Sequence, residues 1–168
     1  MHSSDLLADA FDRIRQAVRQ AVQDLTPQQL AVRLDDDANS IAWLVWHLTR
    51  VQDDHVADVA GTEQVWLTGG WHERFALPFE PGAHGYGHTS AQVAAVQVSG
   101  DLLIDYHEAV CAQTLAYVRD VTDDDLSRVV DESWDPPVTL AVRLVSVLSD
   151  DLQHVGQAAF IRGVIERR

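Results

Sequence analysis

Asp150-Asp151-Leu152-Gln153-His154-Val155-Gly156-Gln157 lies in the middle of a stretch whose periodicity predicts a long helix, from Thr139 to about Glu166. Positions i and i+4 of a helix share a face, so Asp150 and His154 point the same way. At about 100° per residue, Val147, Ala158 and Ile161 fall near the direction of His154, and Asp150 lies on the same stripe. That face is read as core-facing. A carboxylate there is costly unless a metal, an arginine or a cluster of donors pairs with it.

Three more stretches share this period. Residues from Ser4 to about Asp24 place Leu7, Phe11, Ile14, Val18 and Val22 on one face. A second helix runs from Ile41 to about Ala60, capped by Asn39 or Ser40 and ended by Gly61. Ser99-Gly100-Asp101 opens a third, which reaches about Asp120. Shorter capped helices are expected at Thr26-Pro27-Gln28-Gln29-Leu30, from Thr89 or Ser90 to about Val98, and from Thr122 to Val130, before a stop at Asp135-Pro136-Pro137. No strand is expected. Asp24-Leu25-Thr26 with Leu30 recurs faintly as Asp120-Val121-Thr122 with Leu126, each between two long helices. The reading is an all-α four-helix bundle with short connecting helices, a single domain over residues 1–168.

Residues 61–88 show no period. They are rich in glycine and proline and carry Trp66, Trp71, Phe75, Phe79 and Tyr86. A loop this long in a compact domain is usually a lid or a pocket wall, and its aromatics suggest packing onto the body.

The formal net charge of -14 repels phosphate backbones and anionic membrane surfaces, which argues against nucleic-acid and membrane partners. Cys111 is the only cysteine, so no intrachain disulfide forms, and its helical setting fits a small core residue. Neither a signal peptide nor a membrane span of ~20 apolar residues is expected, and a cytoplasmic location is the default.

His47 stands on the second long helix in the direction of Ser40, Trp43, Val51 and Asp54, so it faces inward or lines a pocket mouth. Joined with Asp150 and His154, it makes two imidazoles and one carboxylate. That donor set suits a divalent metal (Zn, Fe(II) or Ni) with open coordination positions. Spacing alone is a weak signal, and a satisfied core histidine beside a hydrogen-bonded aspartate explains the pair as well. Among other histidines, His55 stands off the His47 stripe by ~80°, His84 and His88 flank Gly85-Tyr86-Gly87 in the loop, and His107 reads as a packing or helix-surface residue.

Four stretches stand out: Asn39-Ser40-Ile41-Ala42-Trp43-Leu44-Val45-Trp46-His47-Leu48, Gly69-Gly70-Trp71, Gly85-Tyr86-Gly87-His88-Thr89 and Asp151-Leu152-Gln153-His154-Val155-Gly156-Gln157. In these the chain resembles the DinB/YfiT-like superfamily, in particular its actinobacterial mycothiol-transferase-like members. The resemblance implies a DinB-like four-helix bundle with a divalent metal on three ligands, which land on His47, Asp150 and His154. Many relatives have His at the position of Asp150, and the mycothiol-dependent maleylpyruvate isomerases have Glu. Asp is shorter, so the metal must sit nearer that helix or a water must intervene. The resemblance further implies mycothiol as a thiol cosubstrate, an S-transferase or isomerase acting on small electrophiles, a role in detoxification or stress response, and a homodimer. Gln157 would hydrogen-bond behind His154, Trp43, Trp71 and Tyr86 would wall the pocket, and Arg50 would meet an anionic substrate group. A metal-dependent hydrolase and a non-catalytic stress protein that binds metal or ligand remain as alternatives.

Overall fold

Apolar residues at helical spacing, set off by polar caps, produce the long elements of this chain. The computed structural model describes residues 2–167. In order they are α1 (Ser3–Val22), α2 (Pro27–Leu30), α3 (Ile41–Ala60), α4 (Val65–Thr68), α5 (Trp71–Phe75), α6 (Ser90–Ala95), α7 (Gly100–Asp120) and α8 (Leu140–Ile165). Ser40, Ser99 and Thr139 cap α3, α7 and α8 by accepting the backbone N–H groups of Trp43, Leu102 and Val142. Gly61, at φ 68°, ends α3 in the left-handed region. α1 and α3 each pack against both α7 and α8. The four long helices therefore form a bundle with α1 and α3 on one diagonal and α7 and α8 on the other. No helix among the described residues is long and apolar enough to cross a membrane.

Two connections depart from the sequence reading. Residues 61–88 hold α4 and α5, each too short to display a period. α4 is organised from outside: the Asp53 carboxylate on α3 accepts the N–H groups of Val65 and Trp66 at 2.9 and 2.7 Å, where the helix dipole favours negative charge. After α7, Thr122 and Asp125 do form reciprocal cap bonds, as Thr26 and Gln29 do before α2. Yet only a 3-10 turn follows, Asp125–Ser127, and then β1 (Val129–Asp131) pairs antiparallel with β2 (Val138–Thr139). The β-branched pair Val129-Val130 favours extension over a helix, and the reversal through Pro136-Pro137 brings a partner strand alongside. The helix expected up to Val98 also stops early, at Ala95.

The buried stripe of α8 is Leu140, Leu144, Val147, Asp151, Val155, Ala158 and Ile161. Asp150, read as core-facing, is rotated about 100° from Asp151 and sits half-buried at the edge of the stripe. The carboxyl inside the core is Asp151, with no exposed surface and no hydrogen-bond partner on either oxygen. Cys111 is buried as expected, and burial pushes its thiol up to about 12. His107 is fully packed. Thr49 donates to the Val45 carbonyl and so accepts from His107 Nδ1 at 3.1 Å, which leaves His107 Nε2 bare and unpartnered.

Burial pushes His107 down from 6.5 to about 4, and pushes the Asp151 carboxyl well above its ordinary 3.8. The two shifts act on stability with opposite sign. Neutral His107 contributes stability above pH 6.5 that is lost as pH falls toward 4, about 3 kcal/mol in all. Protonated Asp151 contributes stability at low pH that is lost as pH rises above 3.8. Urea unfolding between about pH 4 and pH 7 separates them. Relative to the wild type, Asp151→Asn should gain stability as pH rises and His107→Gln as pH falls; difference curves flat with pH would contradict both assignments.

Candidate metal centre

His47 projects from α3, and Asp150 and His154 project from adjacent turns of α8, the helix packed beside it. The structure brings the three together: one ligand atom from each lies within 4.8 Å of the other two. His47 is buried and the other two are half-buried. The two imidazoles meet edge to face with centroids 4.9 Å apart. Trp43, one turn before His47, stacks on it at 4.6 Å and turns its ring toward His154 at 6.3 Å, forming a dry wall.

The hydrogen bonds behind the rings decide where the protons sit. His47 Nδ1 faces the carbonyl oxygen of His84. A carbonyl only accepts, so Nδ1 carries the proton and Nε2 the lone pair. His154 Nδ1 lies 3.1 Å from Gln157 Oε1, which requires the same tautomer. His154 Nε2 then stands 3.5 Å from Asp150 Oδ1, while Asp150 Oδ2 is buried without a partner. In its neutral form the lone pair of His154 thus faces the Asp150 carboxylate, with His47 beside both, an arrangement that calls for a cation. The pKa shifts express the same demand. The bond to Asp150 raises His154 against its burial. Burial lowers His47. Burial would raise Asp150, but the hydrogen bond and charge of His154, with the charge of His47, hold it below its usual range. A proton on His154 meets part of the demand. A divalent ion on two imidazoles and a carboxylate, each backed by an outer hydrogen bond or a neighbour, meets all of it.

The 61–88 segment holds the far side of His47. Arg50, fully buried, donates from Nε to the Ala83 carbonyl at 3.1 Å, and Tyr106 bridges Arg50 to Asp53. Next along the chain, Gly85 adopts φ +99° with its α-carbon against the His47 ring; a Cβ built there would lie 2.7 Å from His47 Nδ1 and 3.1 Å from Trp46. Only glycine lets the backbone come this close and put the His84 carbonyl on Nδ1.

A cleft of about 270 Å³ opens over the cluster, lined by His47 and Asp150 together with Val51, Asp54, His55 and His84, and by Tyr86 at its rim. Tyr86 is therefore where a pocket wall was expected, although largely exposed. Two expected pocket residues lie elsewhere. Arg50 serves the fold, its guanidinium stacked over Trp66 at 5.0 Å and bonded as above. Trp71 packs in the core against Tyr106, with Arg74 above it at 3.9 Å. His88 accepts from Trp43 Nε1 at 3.2 Å and stacks on Trp46, a packing role. The His84 carbonyl and the Asp53 anchor escaped the sequence reading. A backbone acceptor leaves no side-chain signal, but glycine in Gly85-Tyr86-Gly87 marks where the chain runs close to something.

A family model described as mycothiol-S-transferase matches residues 6–167. The chain belongs to that family. Its fold is shared with a conserved protein from Enterococcus faecalis of known crystal structure, which is 31% identical with a TM-score of 0.92 over 100% of this chain and 99% of that one. No protein of curated function matches the chain.

The contact at Gly85 sets a measurable cost. Gly87, at φ +73°, has open space where a Cβ would go. Gly87→Ala should lose only the left-handed strain, about 1–2 kcal/mol. Gly85→Ala should lose about 1–3 kcal/mol beyond that through overpacking. Equal losses in urea denaturation would contradict the close approach to His47.

Proposed function

We propose that this chain transfers a low-molecular-weight thiol of the mycothiol class to a small electrophile, with a divalent ion held by His47, Asp150 and His154, as part of cytoplasmic detoxification. The observation that carries this reading is the cluster itself: one ligand atom each of His47, Asp150 and His154 lies within 4.8 Å of the other two beside an open cleft, and both histidines have Nδ1 engaged by an oxygen acceptor. Membership of the mycothiol S-transferase family supports the thiol as the small-molecule partner. A divalent ion held there would lower the pKa of a thiol that reaches it, which would supply nucleophile at neutral pH.

The residues of the chain divide the remaining work. The His84 carbonyl and the Gln157 amide keep the protons on Nδ1, so both Nε2 atoms stay available. Trp43 keeps water from one side of the cluster. The shorter reach of Asp at position 150 fits, because its carboxylate already lies within 4.8 Å of the ligand atoms of both histidines. Zn, Fe(II) and Ni all suit this donor set.

Protein purified without chelator should carry about one equivalent of a transition metal per chain. With mycothiol and monobromobimane, His154→Ala should lower kcat/KM by more than the roughly 10–100-fold that loss of an outer hydrogen bond to a ligand costs. Turnover that survives His154→Ala unchanged would sink the reading.

A further inference from the structure

Two imidazoles in the cleft remain after the metal cluster is assembled. His55 lies on α3 two turns beyond His47. Arg143 of α8 donates from Nη1 to His55 Nδ1 at 2.7 Å, and Asp131 holds Arg143 through a 3.0 Å bond to Nη2. A guanidinium can only donate, so His55 Nδ1 accepts and its proton sits on Nε2. His84 is set the same way, since the backbone N–H of Tyr86 donates to its Nδ1 at 3.3 Å. Neither Nε2 has a hydrogen-bond partner among the described residues, neither is sealed from solvent, and both residues line the cleft. Burial, with the charge of Arg143, keeps His55 neutral.

The other charged groups of the cleft say what these donors face. Asp54 and Asp150 both line it, and Asp54 accepts from Gln64 at 2.6 Å. Arg143 is balanced by Asp131. With two carboxylates in the cleft and a formal net charge of -14 on the chain, an anionic group is disfavoured. A neutral oxygen acceptor has two N–H donors to meet.

We propose that the cleft takes neutral electrophiles whose reacting carbon is conjugated to a carbonyl, and that His55 Nε2–H, together with His84 Nε2–H, receives the carbonyl oxygen. This inference rests on the thiol-transfer reading and narrows its substrate class. The thiol sulfur bonds to the β-carbon, and the π pair of the C=C bond shifts through the α-carbon onto oxygen. The proton released by the thiol returns to the α-carbon, giving a thioether with no leaving group. Negative charge develops on the oxygen, where donors that need not reorient are most effective. Displacement of an alkyl halide places its charge on the departing halide and makes no such use of them.

The test compares cyclohex-2-enone with benzyl chloride as acceptors of mycothiol on the zinc-loaded chain. In His55→Phe the ratio of kcat/KM for the enone to that for the halide should fall about 10²-fold, and His55→Gln, which keeps an N–H donor, should restore part of it. An equal loss on both acceptors would assign His55 a structural role and overturn the proposal. A second readout needs no turnover: cyclohexanone added to the zinc-loaded wild type should shift the His55 Nε2–H resonance in NMR. Absence of that shift overturns the proposal, as does an Nδ1–H tautomer of His55 in the same spectra. If His55→Phe does not fold, His84→Phe carries the same ratio measurement. Failure of the wild type to use either acceptor, with the cyclohexanone shift present, would overturn thiol transfer and leave the donor pair standing.

Discussion

The carbonyl of His84 accepts the Nδ1 proton of His47, and through that bond the 61–88 segment sets the chemistry of a residue on another element. Much of the local structure serves it. Asp53 draws the start of α4 onto α3, Tyr106 and Arg50 complete a buried network, and Arg50 holds the Ala83 carbonyl one residue before His84. Gly85 then lets the backbone lie against the imidazole. Burying Arg50 and Asp53 in this way is expensive, and the network they form with Tyr106 and the Ala83 carbonyl fixes one arrangement of the loop against α3. Here the arrangement is a histidine tautomer.

Asp150 and Asp151 show how one helical step separates two fates for the same side chain. Asp151 falls on the stripe that α8 buries, finds no partner, and keeps its proton. Asp150 falls at the edge of the stripe, within reach of His154 and His47, and is held ionised against its burial. The charged carboxylate is therefore the one beside the imidazoles, at the lip of the cleft, and the neutral one is inside the bundle. His107 completes the pattern as a buried base kept neutral.

The long helices were legible because apolar spacing and caps agree; Ser40, Gly61, Ser99 and Thr139 mark termini that the structure reproduces. Helix geometry points to the grouping of His47, Asp150 and His154 and the resemblance joins them; in the structure one ligand atom from each lies within 4.8 Å of the other two. What was not legible depends on partners distant in sequence. α4 is nucleated by a carboxylate twelve residues earlier. β1 exists only because β2 returns beside it. Arg50 and Trp71 are expected in the pocket, but tertiary packing holds them in the core, against Trp66 and Tyr106 respectively. Asp150 was placed on the core stripe because a 100° step leaves neighbours ambiguous until the packing partners of α8 are known.

The central claim is that three side chains with preset protons converge on one cation. Crystals of the chain grown with zinc, measured at the zinc absorption edge, test it most directly. The account predicts one anomalous peak at about 2.0–2.2 Å from His47 Nε2, His154 Nε2 and an Asp150 oxygen. No peak between α3 and α8, or one bonded through Nδ1 of either histidine, would contradict it.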